Sequence, residues 1–150
     1  MLCPIQNYDT EGKRMNKKIK LIISVALLLV IFSFVITSTG CSKVTSYSTP
    51  MTLNLINSIT AENYANFSKD FNEALKQELP EANFPDLVSQ IKEKFGTYNE
   101  NSLKFTGFNY VNGVNTVDYT ADFSNKSGVN VQVIFTKVND QMKVSGLWFN

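Results

Sequence analysis

The spacing of apolar residues changes near Gly96 and divides the chain into two kinds of structure. Before Gly96, Leu53, Ile56 and Ile59 fall on one helical face, and Tyr64, Phe67, Phe71 and Leu75 continue at intervals of three and four, with Leu79 just ahead of Pro80. Thr60 and Ser68 are the expected N-caps of this region, with Asp70 near the positive end of a helix dipole. The clearest helix runs from Phe84 to Phe95. Pro85 and Asp86 stand in its first turn, Lys92 and Lys94 in its last, and Gly96 just beyond, with Leu87, Ile91 and Phe95 as its apolar stripe. After Gly96 the period becomes two. Strands are expected over Ser102–Tyr110, Val114–Phe123, Val129–Val138 and Gln141–Phe149, joined at Asn112-Gly113, at Ser124 to Gly128 and at Asn139-Asp140. Val117, Tyr119, Ala121 and Phe123 face one way, and Thr116, Asp118, Thr120 and Asp122 the other. Helices followed by a meander predict an α+β domain over residues 51–150, with N-terminal helices packed on one face of a curved four-stranded antiparallel sheet.

The segment ahead of this domain carries a different signal. Lys17, Lys18 and Lys20 precede an apolar run from Leu21 to Ile36, broken only by Ser24 and Ser33, and small residues follow. A basic n-region, an apolar h-region and small residues at a cut site compose a secretory signal peptide. Here Ser38-Thr39-Gly40-Cys41 resembles the lipobox of prokaryotic lipoproteins. The resemblance implies cleavage before Cys41 and a diacylglycerol thioether on its sulfur. Residues 15–40 are then a lipoprotein signal peptide, and residues 41–50 the lipidated cysteine and a short polar tether. Two acyl chains suffice for stable anchoring, whereas one binds only marginally. The competing expectation is an uncleaved anchor, since a run of this length nearly spans a hydrocarbon core of ~30 Å. Both place the domain on the extracytoplasmic side of the cell membrane. Residues 1–14 fit neither pattern, so Met15 is the expected start, against a short cytoplasmic tail with a working Cys3.

Charge and cysteine content narrow the partners. After Cys41 the chain holds nine lysines against eleven acids, because five of the fourteen basic residues precede that point. A mildly acidic domain gives no footprint for nucleic acid. Cys41 is the only cysteine of the mature part, so no disulfide framework is expected, and the core must hold by burial.

The helices, the segment Lys94-Phe95-Gly96-Thr97-Tyr98, the antiparallel sheet and the terminal Met142-Lys143-Val144-Ser145-Gly146-Leu147-Trp148-Phe149 together resemble a family of small extracytoplasmic domains of unknown function. Its members are typically lipoproteins or secreted, some fused to hydrolases, and the family is related to the nuclear-transport-factor-two-like superfamily. The resemblance implies a sheet curved around helices with a cavity at its wide end. The superfamily includes isomerases, dehydratases and cyclases working there through a pocket Asp with Tyr or an Asp-His pair, beside many members without catalysis. Homodimers are common in it.

Candidate chemistry is sparse. The chain has no histidine, which removes the Asp-His arrangement and any His-based nucleophile activation. No metal site or cofactor is expected. Asp118 and Asp122 share a strand face, but four residues at ~3.3 Å set their backbones about 13 Å apart, too far for a cooperating pair. They remain the carboxylates on which an enzyme reading would rest. Tyr64, Phe67, Phe105, Tyr119 and Trp148 are candidates to line a pocket for a small apolar ligand, against the plainer expectation that they fill the core. Trp148 stands near Gly146, which leaves room for an approaching group. Leu147 and Phe149 alternate with Val144 and Trp148, so the last strand reads as apolar on both faces, an edge that a homodimer or an envelope protein would cover. The expected role is therefore a non-catalytic ligand-binding or interaction domain, with a small-molecule enzyme as the alternative.

Overall fold

The computed structural model describes residues 39–150, and side chains from Ser42 onward. The signal-peptide reading of 15–40 and the start at Met15 lie outside the described residues, but for the last two positions before Cys41. Gly40 to Asn150 form one unit. Helix α1 (Thr39–Thr60) comes first, followed by two short helices, α2 (Tyr64–Ser68) and α3 (Glu73–Glu78). A 3-10 turn at Glu81–Asn83 leads into α4 (Phe84–Phe95), and the sheet strands β1 (Lys104–Val111), β2 (Val114–Phe123), β3 (Lys126–Val138) and β4 (Gln141–Phe149) complete the chain. The strands form an antiparallel meander in sequence order, so the fold is α+β, as the change of period predicts.

The alternation expected for the central strands is present. Val117, Tyr119, Ala121 and Phe123 of β2 and Val129, Val131, Val133 and Phe135 of β3 are buried against the helices. At ~1.5–3 kcal/mol for each large side chain, a one-residue slip that turned this set to water would be prohibitive, and the register is fixed accordingly. Two hairpins close on two-residue loops whose central residues all have positive φ, Asn112 and Gly113 in one, Asn139 and Asp140 in the other. This is the backbone that type I′ turns need, and Asn, Asp and Gly tolerate it best. Each neighbouring strand pair carries one register shift, and such bulges bend a sheet.

Two expectations are corrected. The stretch 42–50 is not a tether but the first half of α1, with Val44 and Ser48 buried. Pro50 lies inside the helix on its exposed side, in line with exposed Ser46, whose carbonyl it leaves without a helical donor on the solvent side. The second is the helical stretch read from Tyr64 to Leu79, with Ser68 as an N-cap within it. It breaks at Phe71, which pairs with Val144 as a parallel bridge: Val144 N–H donates to the Asp70 carbonyl at 2.8 Å, and Asn72 N–H to the Val144 carbonyl at 2.9 Å. The caps move with the break. Asn63 accepts from Asn66 N–H at 3.0 Å and Asn72 from Leu75 N–H at 2.8 Å, whereas Thr60 and Ser68 donate back into their own helices. Helix α4 has its expected bounds, but its buried stripe is Phe84, Val88, Ile91 and Phe95, with Leu87 half-buried.

Helix α1 crosses the covered face of the sheet. Tyr47 meets Phe135 edge-on at 5.3 Å, and Ser48 and Thr49 hydrogen-bond Tyr119. One turn beyond Ser48, Thr52 is wholly buried and its hydroxyl has no hydrogen-bond partner. An unsatisfied buried hydroxyl costs free energy that an isosteric methyl avoids. Thr52→Val should therefore raise the stability by about 1 kcal/mol in chemical denaturation. A loss of similar size would mean that this hydroxyl is satisfied in solution.

Candidate functional site

Most of the side chains proposed for a pocket belong to the core. Phe67 and Tyr119 have no exposed surface, and Phe67 stacks among Phe71 and Phe84 with centroids 4.9 and 4.8 Å away. Phe105 packs edge-on to Tyr119 at 5.9 Å. Tyr64 is half-buried, and its hydroxyl donates to the Leu79 carbonyl at 2.9 Å. The Tyr119 hydroxyl lies 2.6 Å from Ser48 Oγ and 3.2 Å from Thr49 Oγ1, a polar contact enclosed by apolar neighbours. All four rings pack in or against the core, which is what large aromatics at helical and strand spacing do most often.

Trp148 is separate from them. It is 47% exposed and lies on the outer face of the sheet, away from the helices. The cause is a bulge at Ser145: Phe135 pairs with Val144, but Ile134 pairs with Gly146, so the phase of β4 inverts between them. Val144 and Met142 pack on the core before the bulge, Leu147 and Phe149 after it, and Trp148 is turned outward. This corrects the expectation of an apolar patch around Leu147 and Phe149. The strand is apolar at both parities because its phase changes, not because both faces are covered. Its edge is not open throughout either, since Asp70 to Asn72 pair with Val144. A Cβ on Gly146 would stand 2.5 Å from two carbons of the Trp148 indole, so the ring occupies the space that the missing side chain leaves. The room expected beside Gly146 is filled by Trp148 itself.

The two carboxylates also lie on the outer face, each half-buried and engaged. Asp118 Oδ1 accepts from Gln132 Nε2 at 2.8 Å, and Asp122 Oδ1 accepts from the Gly128 N–H at 2.8 Å, which closes the β2–β3 turn. Gln132 is the cross-strand partner of both Asp118 and Trp148, so an acid, an amide and an indole stand in a row across three strands.

Two depressions flank the covered face. One, of about 570 Å³, opens between the C-terminal half of α1 and the loop after α4, lined by Leu53, Asn57, Thr60, Tyr98 and Glu100 among others. The second, of about 560 Å³, lies between the first turns of α1 and the tips of the two I′ hairpins, with Lys43, Tyr47, Tyr110, Lys137 and Met142 on its walls. None of the five aromatic candidates lines either. Among the described residues, no three His, Cys, Asp or Glu side chains gather as a metal site would need. At the second depression burial pushes the Tyr47 hydroxyl above the ordinary phenol value, with a smaller contribution from Tyr119.

The model of a protein family of unknown function, DUF3887, matches residues 53–147. The chain belongs to the DUF3887 family. The DUF3887 segment begins inside α1 and ends one residue before Trp148, so the first half of α1 lies outside it. No curated protein and no solved structure matches the chain.

Two measurements test this arrangement. Trp148 is the sole tryptophan, so its emission reports the outer face alone. Gly146→Ala should displace the ring into water and shift that emission to the red, with stability changed by no more than about 1 kcal/mol. Unchanged emission would mean that the indole does not rest on Gly146. For Tyr47, a folded pKa above the unfolded value of ~10 means that the folded chain keeps a proton which the unfolded chain releases, so stability falls as pH rises above ~10. Tyr47→Phe should make that alkaline loss shallower, and an identical slope would contradict the burial of the hydroxyl.

Proposed function

We propose that this member of the DUF3887 family is a lipid-anchored protein of the cell envelope, held by a diacylglycerol on Cys41, whose domain acts as a non-catalytic interaction module. The signal-peptide pattern and the Gly40-Cys41 junction support the anchor. The observation that carries the interaction reading is the contrast between the two sides of the sheet. The rings expected to line a ligand cavity are consumed by the core, while the outer face presents a half-exposed indole beside Gln132 and Asp118. An aromatic surface rimmed by hydrogen-bonding groups is the composition of an interface centre.

The alternative, an isomerase- or dehydratase-like enzyme of the nuclear-transport-factor-two-like superfamily, draws little support from Asp118 and Asp122. Each faces away from the helices, each is occupied by a neighbouring donor, and neither lines either of the two depressions described above. General acid–base work needs a carboxyl within hydrogen-bonding reach of an enclosed substrate.

Mass analysis of the processed N-terminus checks the anchor: a chain beginning at Cys41 with a diacylglycerol is the expected result. For the interaction, a photoreactive benzoylphenylalanine in place of Gln132 or Ser145 of the full chain in its own envelope should give a discrete protein adduct. The same residue in place of exposed Ser89 on α4 should not. Equal, diffuse labelling from all three positions would refute an interface on the outer face.

A further inference from the structure

The end of the domain where α1 begins has a composition unlike the rest of its surface. Tyr110 is 62% exposed, Val111 54% and Val138 40%, and all three belong to the tips of the β1–β2 and β3–β4 hairpins. Few apolar side chains this large are left so open elsewhere on the described surface, and here they are gathered at one end. The charges at this end are also biased. Residues 42–47 of α1 and the two tips, 110–115 and 137–143, contain Lys43, Lys137 and Lys143 against a single acid, Asp140, which pairs with Lys137 at 2.7 Å. The domain as a whole is acidic, so these lysines are placed against the average.

The same end is where the anchor attaches. Cys41 lies in the first turn of α1, and Lys43, Val44 and Tyr47 line the depression shared with Tyr110, Lys137 and Met142. From Cys41 to Tyr47 is six residues of helix, about 9 Å at 1.5 Å each. The headgroup region of a bilayer is roughly 5–8 Å deep on each side, so the tips, which lie beside residues 43 to 47, come to its outer edge when Cys41 is held by lipid. A helix that starts at the lipidated residue, rather than a flexible tether, leaves the domain no distance in which to lift away.

We propose that this end of the domain, the hairpin tips with Tyr110, Val111 and Val138 and the lysines around them, docks on the surface of the anionic membrane that holds Cys41. Tyrosine is suited to that depth, with an apolar ring and a polar hydroxyl. The lysines add attraction to anionic headgroups while their stems stay along the apolar surface. The outer face with Trp148 is then presented sideways to the envelope rather than toward the lipid. The inference rests on the lipid-anchor reading above.

The test uses the full, processed chain in vesicles of phosphatidylglycerol and phosphatidylcholine, with a nitroxide at Val111→Cys, at Val138→Cys, or at Asn125→Cys in the turn at the opposite end of the sheet. Labels at 111 and 138 should be several-fold less accessible to a water-soluble nickel chelate than the label at 125, and more accessible to oxygen, which concentrates in the membrane. If Cys41 carries its lipid by mass and all three labels are equally open to nickel, docking is wrong while the anchor stands. Shielding from nickel without the gain in oxygen would indicate a second protein copy on the tips, and would also overturn the proposal. If Cys41 proves unmodified but the tips are shielded and oxygen-rich, the lipid assignment fails and the docking surface is supported by itself.

Discussion

A four-stranded sheet with one apolar face cannot exist alone in water, and the cover over its middle is supplied by α1. The buried line Val117, Tyr119, Val131, Val133 and Phe135 sets what that helix must present: Val44, Tyr47, Leu55, Ile56 and Ile59, with Ser48 facing the one hydroxyl in the row, that of Tyr119. The Ser48–Tyr119 bond explains why a small polar residue occupies a core position there, because an apolar residue would leave the phenol only the longer contact with Thr49. The consequence reaches beyond packing. The helix that completes the core is the helix that contains Cys41 in its first turn, so the proposed attachment point and the core share one element.

The second constraint is the phase of β4. A single extra residue at Ser145 lets Val144 and Phe149, five positions apart, both face the helices. It also turns Trp148 outward onto Gly146 and gives the open face its aromatic surface. The short parallel bridge at Phe71 covers the edge of β4 beside this bulge, which limits uncontrolled strand pairing there. Two local departures from regular geometry thus produce a closed edge and an open face on the same strand.

Much of this was legible in the sequence. The four strands, two of them with matching bounds, and α4 followed from period and turn residues, because Asn-Gly, Pro and Gly carry local backbone requirements. What was not legible depended on partners distant in the chain. The segment 42–50 reads as polar because its inward residues include Ser48, whose reason is Tyr119, 71 positions away. The spacing of Val44, Tyr47, Met51 and Leu55 was the available signal, masked by Pro50. The break at Phe71 preserves a helical spacing of apolar residues while the backbone pairs with β4, so periodicity alone could not separate the two. The bulge at Ser145 likewise has no local mark, and it moved Trp148 out of the candidate pocket and Leu147 and Phe149 into the core.

Helix α1 is ordered from its first turns, so that Cys41, the residue proposed to carry the lipid, and the core are joined without a tether. Hydrogen–deuterium exchange on the full, processed chain reads this directly. Amides of residues 45–49 should be protected to an extent comparable with residues 52–58, since both halves of the helix lie on the same buried face. Exchange of 45–49 at the rate of an unstructured peptide, beside a protected 52–58, would contradict it and restore a flexible link between membrane and domain.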